Sequence, residues 1–446
     1  MKVSFITFGC KVNYAETSSL RNTLIGDGLI EVRPSEKPDV VIINTCTVTN
    51  NADKECIKMI RGLYNSNHDI IIIVTGCFAQ TSCNRLLTLP GVKAVFGNQD
   101  KSKILDFIRS LNISCHPVQH VEVSDISRDH VFHDAISYND RTRSFLKIQD
   151  GCNYWCSYCA IPRARGCSRS DTIENIVRSV RFAQSKRVKE IVITGINVGD
   201  YGLINNERKY TLYELIATLD NLDCDIRYRI SSIEPNLLTH QIVDFIGMSK
   251  HFVHHFHIPL QSGSDKILKL MRRKYTADDY KNKILYIKSS MPLCCIGVDV
   301  IVGFPGETNN DFESTYNLLQ SLPISYLHVF PYSERDGTIA CTLCDKIDIC
   351  TKSKRVEILR ELSDIKRKKF YQDNVGQIVQ VLFEHTPTND GLLQGYSDNY
   401  LRVVHKYDHN LVNRCVDVKI ISVSGKLAKC EIYMSICLVV WLLVGR

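Results

Sequence analysis

Hydrophobic and polar positions divide the chain into four zones. In the first zone, apolar runs VSFITF (3–8), DVVIINT (39–45) and DIIIIVTG (69–76) alternate with amphipathic stretches. These stretches begin near Ala15, cover Asp53–Tyr64 and cover Gln80–Leu87. Nearly continuous apolar strands separated by helical periods predict a parallel sheet covered on both faces. Residues 116–141 are rich in Asp, Ser and His without an apolar period, so they read as a linker. From Ser144 to about Gln372 the alternation resumes with EIVITGIN, YRISSIEP, HFHIPLQSG, IGVDVIVGF and YLHVFPYS. Such βα units predict a full or partial (β/α) barrel with its chemistry at the C-terminal strand ends. Arg355–Gln372 reads as one long basic helix closing it. After Gly376 the period shortens to two in IVQVLFE, GLLQGYS, NYLRVVH, CVDVKIISV and AKCEIYM, which predicts a small antiparallel β-barrel. The fold class is α/β with domains at 1–115, 142–372 and 376–433, and an apolar tail at 434–446.

A chain of 446 residues accommodates about three domains. With 44% apolar and 23% charged residues, a disordered or collagen-like chain is excluded. The net charge of +7 suits a polyanionic partner such as RNA without requiring one. MKVSFITFGC lacks the zones of a signal peptide. The apolar run Ile436–Val444 is shorter than the about 20 residues a bilayer span needs. A soluble, cytoplasmic protein with no membrane span is expected.

The chain has 19 cysteines. In a reducing compartment, clusters of them point to metal rather than disulfides. Cys56, Cys83, Cys224, Cys294, Cys295 and Cys430 read as core thiols. GCNYWCSYCAIPRARG differs, because it spaces Cys152, Cys156 and Cys159 as C-x3-C-x2-C. Three thiolates on one loop can hold three irons of a four-iron cluster and leave the fourth open. Zinc needs a fourth nearby ligand, and His130 and His133 lie far upstream. A zinc knuckle or three core thiols is the alternative.

With Tyr158 as the aromatic before the last cysteine, this loop resembles the radical S-adenosylmethionine (SAM) signature. The resemblance implies that the open iron chelates SAM and that an electron from the cluster splits it, giving a 5′-deoxyadenosyl radical. The protein holds the cluster, orients SAM and excludes water. It also implies SAM contacts from Gly195 and Asn197 in TGIN, Glu234 in SSIEP and Gln261 in PLQSG, with DVIVGFPGET (299–308) backing the adenine. Taken singly, each is equally a turn glycine or a solvated polar residue.

Cys10, Cys46 and Cys77 each follow an apolar strand, in FITFGC, VVIINTC and IIIIVTGC. In an open parallel sheet the C-terminal strand ends share one edge, so the three can converge; three unrelated core thiols are the alternative. Together with the radical SAM loop, they resemble the methylthiotransferase family, whose first domain holds a second four-iron cluster. Asn13, Glu16 and Asn44 look like positions shaping that pocket. The C-terminal barrel resembles the RNA-binding TRAM domain, which implies RNA contacts from Tyr396, Tyr400 and Arg402.

FGCKVNYAE, HVFPYSERDGTIA (328–340) and GYSDNYLRV look most like the threonylcarbamoyladenosine tRNA methylthiotransferases. That resemblance implies methylthiolation at C2 of N6-threonylcarbamoyladenosine at position 37, next to the anticodon. One SAM would methylate the sulfur on the N-terminal cluster, and a second would supply the radical. Partners would be the tRNA anticodon loop, SAM, a reductant such as flavodoxin or ferredoxin, and a sulfur donor. Isopentenyladenosine or a ribosomal-protein aspartate is the alternative substrate. A cysteine-rich electron carrier and a zinc-dependent RNA-binding protein are the non-enzyme alternatives. Leu343, Cys341, Cys344 and Ile339 depart from the family pattern near the barrel exit without removing a ligand.

Overall fold

The computed structural model describes residues 1–111, 119–128, 130–138, 142–388 and 390–433. The apolar tail lies outside them. No helix among the described residues is long and apolar enough to cross a membrane.

The first domain is a six-stranded parallel sheet of β1 (Lys2–Thr7), β2 (Ile30–Glu31), β3 (Val40–Thr45), β4 (Ile71–Gly76), β5 (Val92–Phe96) and β6 (His120–Glu122), in the order β2-β1-β3-β4-β5-β6. Helices α1 (Lys11–Gly26), α2 (Asn50–Ser66), α3 (Cys77–Thr81), α4 (Cys83–Leu87) and α5 (Ile104–Leu111) cover it. Alternation along β3 sends Ile42 into one core and Val41 and Ile43 into the other. Both faces are therefore buried, as the apolar runs predict.

The stretch read as a linker is bound into both neighbouring domains. His120–Glu122 forms the sixth strand of the first sheet, and β7 (Ala135–Ile136) pairs antiparallel with β8 (Arg143–Lys147) of the next domain. Ile126 between them is 5% exposed. Short edge strands expose one face and one edge, so they carry little apolar periodicity.

In the second domain β8 leads into the small antiparallel pair β9 (Gln149–Asp150) and β10 (Arg169–Ser170), which brackets α6 (Ile161–Arg165). Then come α7 (Ile173–Ser185), β11 (Glu190–Thr194), the ribbon β12 (Leu203–Ile204) and β13 (Glu207–Arg208), α8 (Leu212–Asp220), β14 (Arg227–Ile230), α9 (His240–Met248) and β15 (His255–His257). α10 (Asp265–Leu270), α11 (Ala277–Ser290), β16 (Cys295–Val302), α12 (Asn309–Ser321), β17 (Tyr326–Pro331) and α13 (Ile349–Asp373) complete it. Strands β14, β11 and β8 pair in parallel, as do β15, β16 and β17. The bridges Tyr228–Phe252 and Ser232–His257 join the two sets into one arc, a partial barrel. Thr172, Thr211, Thr239, Thr276 and Thr308 cap the helices that follow, each hydroxyl accepting a backbone N–H of the first turn.

The third domain is a closed barrel of β18 (Ile378–Phe383), β19 (Leu393–Ser397), β20 (Arg402–His405), β21 (Cys415–Ser424) and β22 (Leu427–Ile432), in the order β18-β19-β20-β22-β21. It closes the N-terminal end of the partial barrel. Arg227 donates to the carbonyls of Gln380 (3.1 Å) and Tyr396 (2.8 Å), and Arg229 donates to that of Ser397 (3.2 Å). Both guanidinium groups also hold the buried Glu190, at 2.6 and 2.9 Å.

Candidate active site

Strands β1, β3 and β4 are neighbours in the first sheet, so their C-terminal ends deliver Cys10, Cys46 and Cys77 to one pocket. The approach is close. Gly9 sits at φ +96°, and a Cβ there would lie 2.5 Å from Cβ of Cys46, so glycine is required. Asn13 ties two of the loops together by donating to the carbonyls of Phe8 and Thr45, both at 2.9 Å. Asn44 donates to the Asn13 carbonyl at 3.0 Å. Burial, and then the neighbouring Cys77, push the Cys46 thiol up to about 12. Burial of the thiol also raises Cys10, although the residue as a whole is exposed. None of the three is in a disulfide.

The wall of this pocket comes from the second domain. Arg165, 0% exposed, donates through Nε to Sγ of Cys77 (3.3 Å). It also bonds Glu16 (2.9 and 3.0 Å), Asp150 (2.9 and 3.1 Å) and Oδ1 of Asn13 (2.6 Å). Lys147 and Lys101 each reach Glu16, at 2.9 and 2.6 Å. Burial alone would raise the carboxyl of Glu16, yet Arg165, Lys101 and Lys147 hold it well below the usual range. A buried charge network is tolerated only where every member is paired, and here the pairing joins two domains. Arg335 makes a second junction by bonding Asp53 (2.7 Å) and Asn50 (2.6 Å) of the first domain.

Cys152, Cys156 and Cys159 lie on the loop after β9. Gly151 at its base has φ +68°, and a Cβ there would come within 1.9 Å of the Cys167 carbonyl oxygen. The loop is pinned where Ser157 N–H donates to the Met271 carbonyl (3.2 Å) and its Oγ donates to that of Leu270 (2.7 Å). Burial pushes Cys152 and Cys159 up to about 12 and raises Cys156. A metal entering either trio must therefore displace thiol protons.

Gly195 and Asn197 follow β11. A Cβ on Gly195 would lie 2.9 Å from Oε1 of Gln149. That oxygen accepts from the backbone N–H of Ile196 (3.0 Å) and Asn197 (2.8 Å). Asn197 is 4% exposed, yet neither atom of its side-chain amide has a partner among the described residues. A buried amide left in this state calls for a ligand. Glu234 is engaged by Arg273, which also donates to Sγ of Cys156 (3.3 Å) and reaches the hydroxyl of Tyr158 (3.4 Å). Gln261 is held in the left-handed region (φ +67°), its N–H bonded to the Asp299 carbonyl (2.9 Å). Tyr158 packs edge-on to Phe304 of GFPGE, in a cluster that includes Leu343. The departure at 343 therefore backs the cysteine loop as an apolar side chain.

Residues 146–319 match the family described as Radical SAM superfamily, and residues 2–97 match Uncharacterized protein family UPF0004. The chain is 39% identical over 425 residues to the threonylcarbamoyladenosine tRNA methylthiotransferase MtaB of Bacillus subtilis (strain 168), covering 94% of this chain and 93% of that protein. The chain belongs to the radical SAM methylthiotransferase family. The protein of the same name from Aquifex aeolicus (strain VF5) is 38% identical over 86% of this chain and 92% of its own. The tRNA-2-methylthio-N(6)-dimethylallyladenosine synthase of Chromobacterium violaceum is 31% identical over 94% and 96%. Among solved structures, the radical SAM methyltransferase TsrM from Kitasatospora setae superposes with a TM-score of 0.53 at 12% identity, covering 74% of this chain and 72% of that one. It supports the fold alone.

Membership in this methylthiotransferase family brings SAM and a [4Fe-4S] cluster. Cys152, Cys156 and Cys159, together with the unpartnered amide of Asn197, fit them. Arg165, Arg273 and Gln149 contact the site residues, and sequence reasoning did not single them out. Arg165 stands inside the cysteine motif, but nothing local shows where its guanidinium turns.

Tyr396 and Tyr400 of the methylthiotransferase's third domain, expected as RNA-stacking rings, are half-buried. Tyr396 lies between Arg143 (4.5 Å from the ring centre) and Tyr400 (5.0 Å). Tyr400 meets His255 (4.3 Å) and Arg229 (4.8 Å) at the floor of the partial barrel. These contacts link the third domain to the second, and both tyrosines remain half-buried. Arg402 is exposed, its guanidinium bonded to Gln394 at 2.6 Å.

Proposed function

We propose that this protein methylthiolates C2 of N6-threonylcarbamoyladenosine at position 37 of tRNA. The observation carrying this reading is a pair of cysteine trios on two domains joined by Arg165, which reaches Cys77 from the segment that follows Cys159. A second four-iron cluster on Cys10, Cys46 and Cys77 would stand beside the one on Cys152, Cys156 and Cys159. Bound SAM and the radical SAM cluster supply the 5′-deoxyadenosyl radical, and the second cluster supplies the sulfur.

The chain's own groups do the holding. Six thiols, once deprotonated, bind iron. Glu234 and Arg273 present an anion and a cation side by side, matching the ammonium and carboxylate of SAM, while Asn197 and the backbone after Gly195 take its polar edges. Gln149 links this loop to the cysteine loop by donating to the carbonyls of Gly151 (2.7 Å) and Asp150 (2.9 Å). The third domain closes the floor and keeps water out.

The threonylcarbamoyl substrate is favoured by the names of the relatives at 39%, 38% and 36% identity over the isopentenyl-type synthases at 31–33%. Partners would be tRNA, SAM, a reductant such as flavodoxin or ferredoxin, and a sulfur donor, in the cytoplasm. Nucleoside mass spectrometry of tRNA from cells lacking the protein tests the substrate. Loss of the 2-methylthio form of threonylcarbamoyladenosine is expected. Loss only of the methylthiolated isopentenyl nucleoside would assign the other substrate.

A further inference from the structure

Phe256, Val298, Val300, Leu327 and Val329 on β15, β16 and β17 enter the core beneath the helices. Their alternating neighbours His257, Asp299 and His328 face the interior of the arc. Nε2 of His257 lies 2.9 Å from Oδ1 of Asp299, and Nδ1 of His328 lies 3.2 Å from the same oxygen. Half of the His328 side chain and a quarter of that of Asp299 remain accessible, so this is the wall of an open chamber. Its floor is the Tyr326, His255 and Tyr400 group, with His255 Nε2 at 3.2 Å from the Tyr326 hydroxyl.

Helix α1 enters the same interior from the open side of the arc. Ala15 packs with Phe145 and Val192, and Tyr14 stands edge-on to Phe145 at 5.4 Å. The helix begins at Lys11, which lies on the same helix face as Tyr14 and Ala15, one turn before them. Lys11 directly follows Cys10, so its chain position places it between the N-terminal cysteine pocket and the chamber. The side chains of Lys11, His257 and His328 are not among the groups assigned above to the clusters or to SAM.

The geometry points to a substrate subsite here, one that receives the carboxylate and hydroxyl of an amino-acid substituent on the adenine. Lys11 meets the carboxylate, and the His257–Asp299–His328 set meets the hydroxyl and amide N–H groups. This rests on the adenine reading given above. In adenine only N1 separates C2 from the carbon bearing N6, so whatever N6 carries must lie in the chamber where C2 reacts. A hydrocarbon substituent would offer no polar atom to Lys11 or to the two imidazoles that Asp299 joins. Sites built of such groups reject analogues lacking the matching polar atoms. His257, Asp299 and His328 also offer one ligand atom each within 4.8 Å of one another, a metal-site reading that the test separates from this one.

The test uses the full chain with anticodon stem-loops of one sequence, carrying threonylcarbamoyladenosine, its carboxamide analogue, isopentenyladenosine or plain adenosine, with binding read by fluorescence anisotropy. The unaltered protein should favour the threonylcarbamoyl loop over each of the others by about tenfold or more. Lys11→Met and His328→Leu should bring that ratio toward one, with circular dichroism and iron content confirming that each variant is folded. The carboxamide loop tests Lys11 without any substitution. If the unaltered protein shows the preference but keeps it in both variants and with the carboxamide, the subsite is wrong while the substrate reading stands. A preference for the isopentenyl loop would instead overturn the substrate reading. Stoichiometric zinc that His328→Leu removes would make the trio a metal site and overturn the inference.

Discussion

Nε of Arg165 lies 3.3 Å from Sγ of Cys77, although the two residues belong to different domains. The same guanidinium bonds Glu16 from the first domain and Asp150 from the second. Arg165 therefore acts as the joint that fixes one cysteine trio relative to the other.

Arg165→Leu should leave Glu16 and Asp150 short of a cation in a buried site and destabilise the protein by about 3–5 kcal/mol. Arg165→Lys keeps the charge but not the fork, so it should cost less and still lose the contact with Cys77. Urea unfolding of the three proteins checks this. Equal midpoints would remove the joint.

Much of this site is legible in sequence because each of Cys10, Cys46 and Cys77 directly follows an apolar strand, and parallel topology brings strand ends together. The loop at Cys152–Cys159 is legible because its spacing is local. Arg165 was not, since its partners Asn13 and Glu16 stand far away in the chain and only tertiary packing selects them. The interdomain neighbours of Tyr396 and Tyr400 are hidden from sequence for a related reason. Strand alternation shows that a side chain leaves the small barrel's core, but not that another domain covers it. The strand His120–Glu122 escaped because a charged, half-exposed edge has no apolar period.

The network also sets a pH dependence. Glu16 and Asp150 are held below their ordinary ranges: burial opposes this, and Arg165 with its neighbouring lysines overcomes it. Both carboxylates are ionised in the folded protein at a pH where the unfolded chain, with values of about 4.3 and 3.9, takes up protons. Their stabilisation is complete above about pH 5 and is lost as the pH falls below about 4. Glu16→Gln should lower stability at pH 7 and flatten the decline toward pH 3, measured as urea midpoints across that range. An unchanged acid slope would contradict it.

Cutting the chain at Gly376 would strip the floor from the partial barrel, because Cys295, Tyr326 and Tyr371 share one core with Val381 and Val403. A surface change tests RNA contact more cleanly. Arg402→Ala should leave thermal stability within about 0.5 kcal/mol. It should also make the salt dependence of tRNA binding shallower by about 0.7–0.9. An unchanged slope would leave Arg402 without a phosphate contact.

Two clusters on two domains, with the N-terminal one carrying the sulfur, is the central claim, and Cys46→Ala separates them. Cys46 contributes to the first trio only, and the Cys152–Cys159 loop is pinned by its own contacts to Met271 and Leu270. After anaerobic reconstitution, iron should fall from about eight to about four per chain. The variant should still cleave SAM to 5′-deoxyadenosine and should transfer no methylthio group to tRNA. Unchanged iron, or methylthiolated tRNA from the variant, would contradict the account.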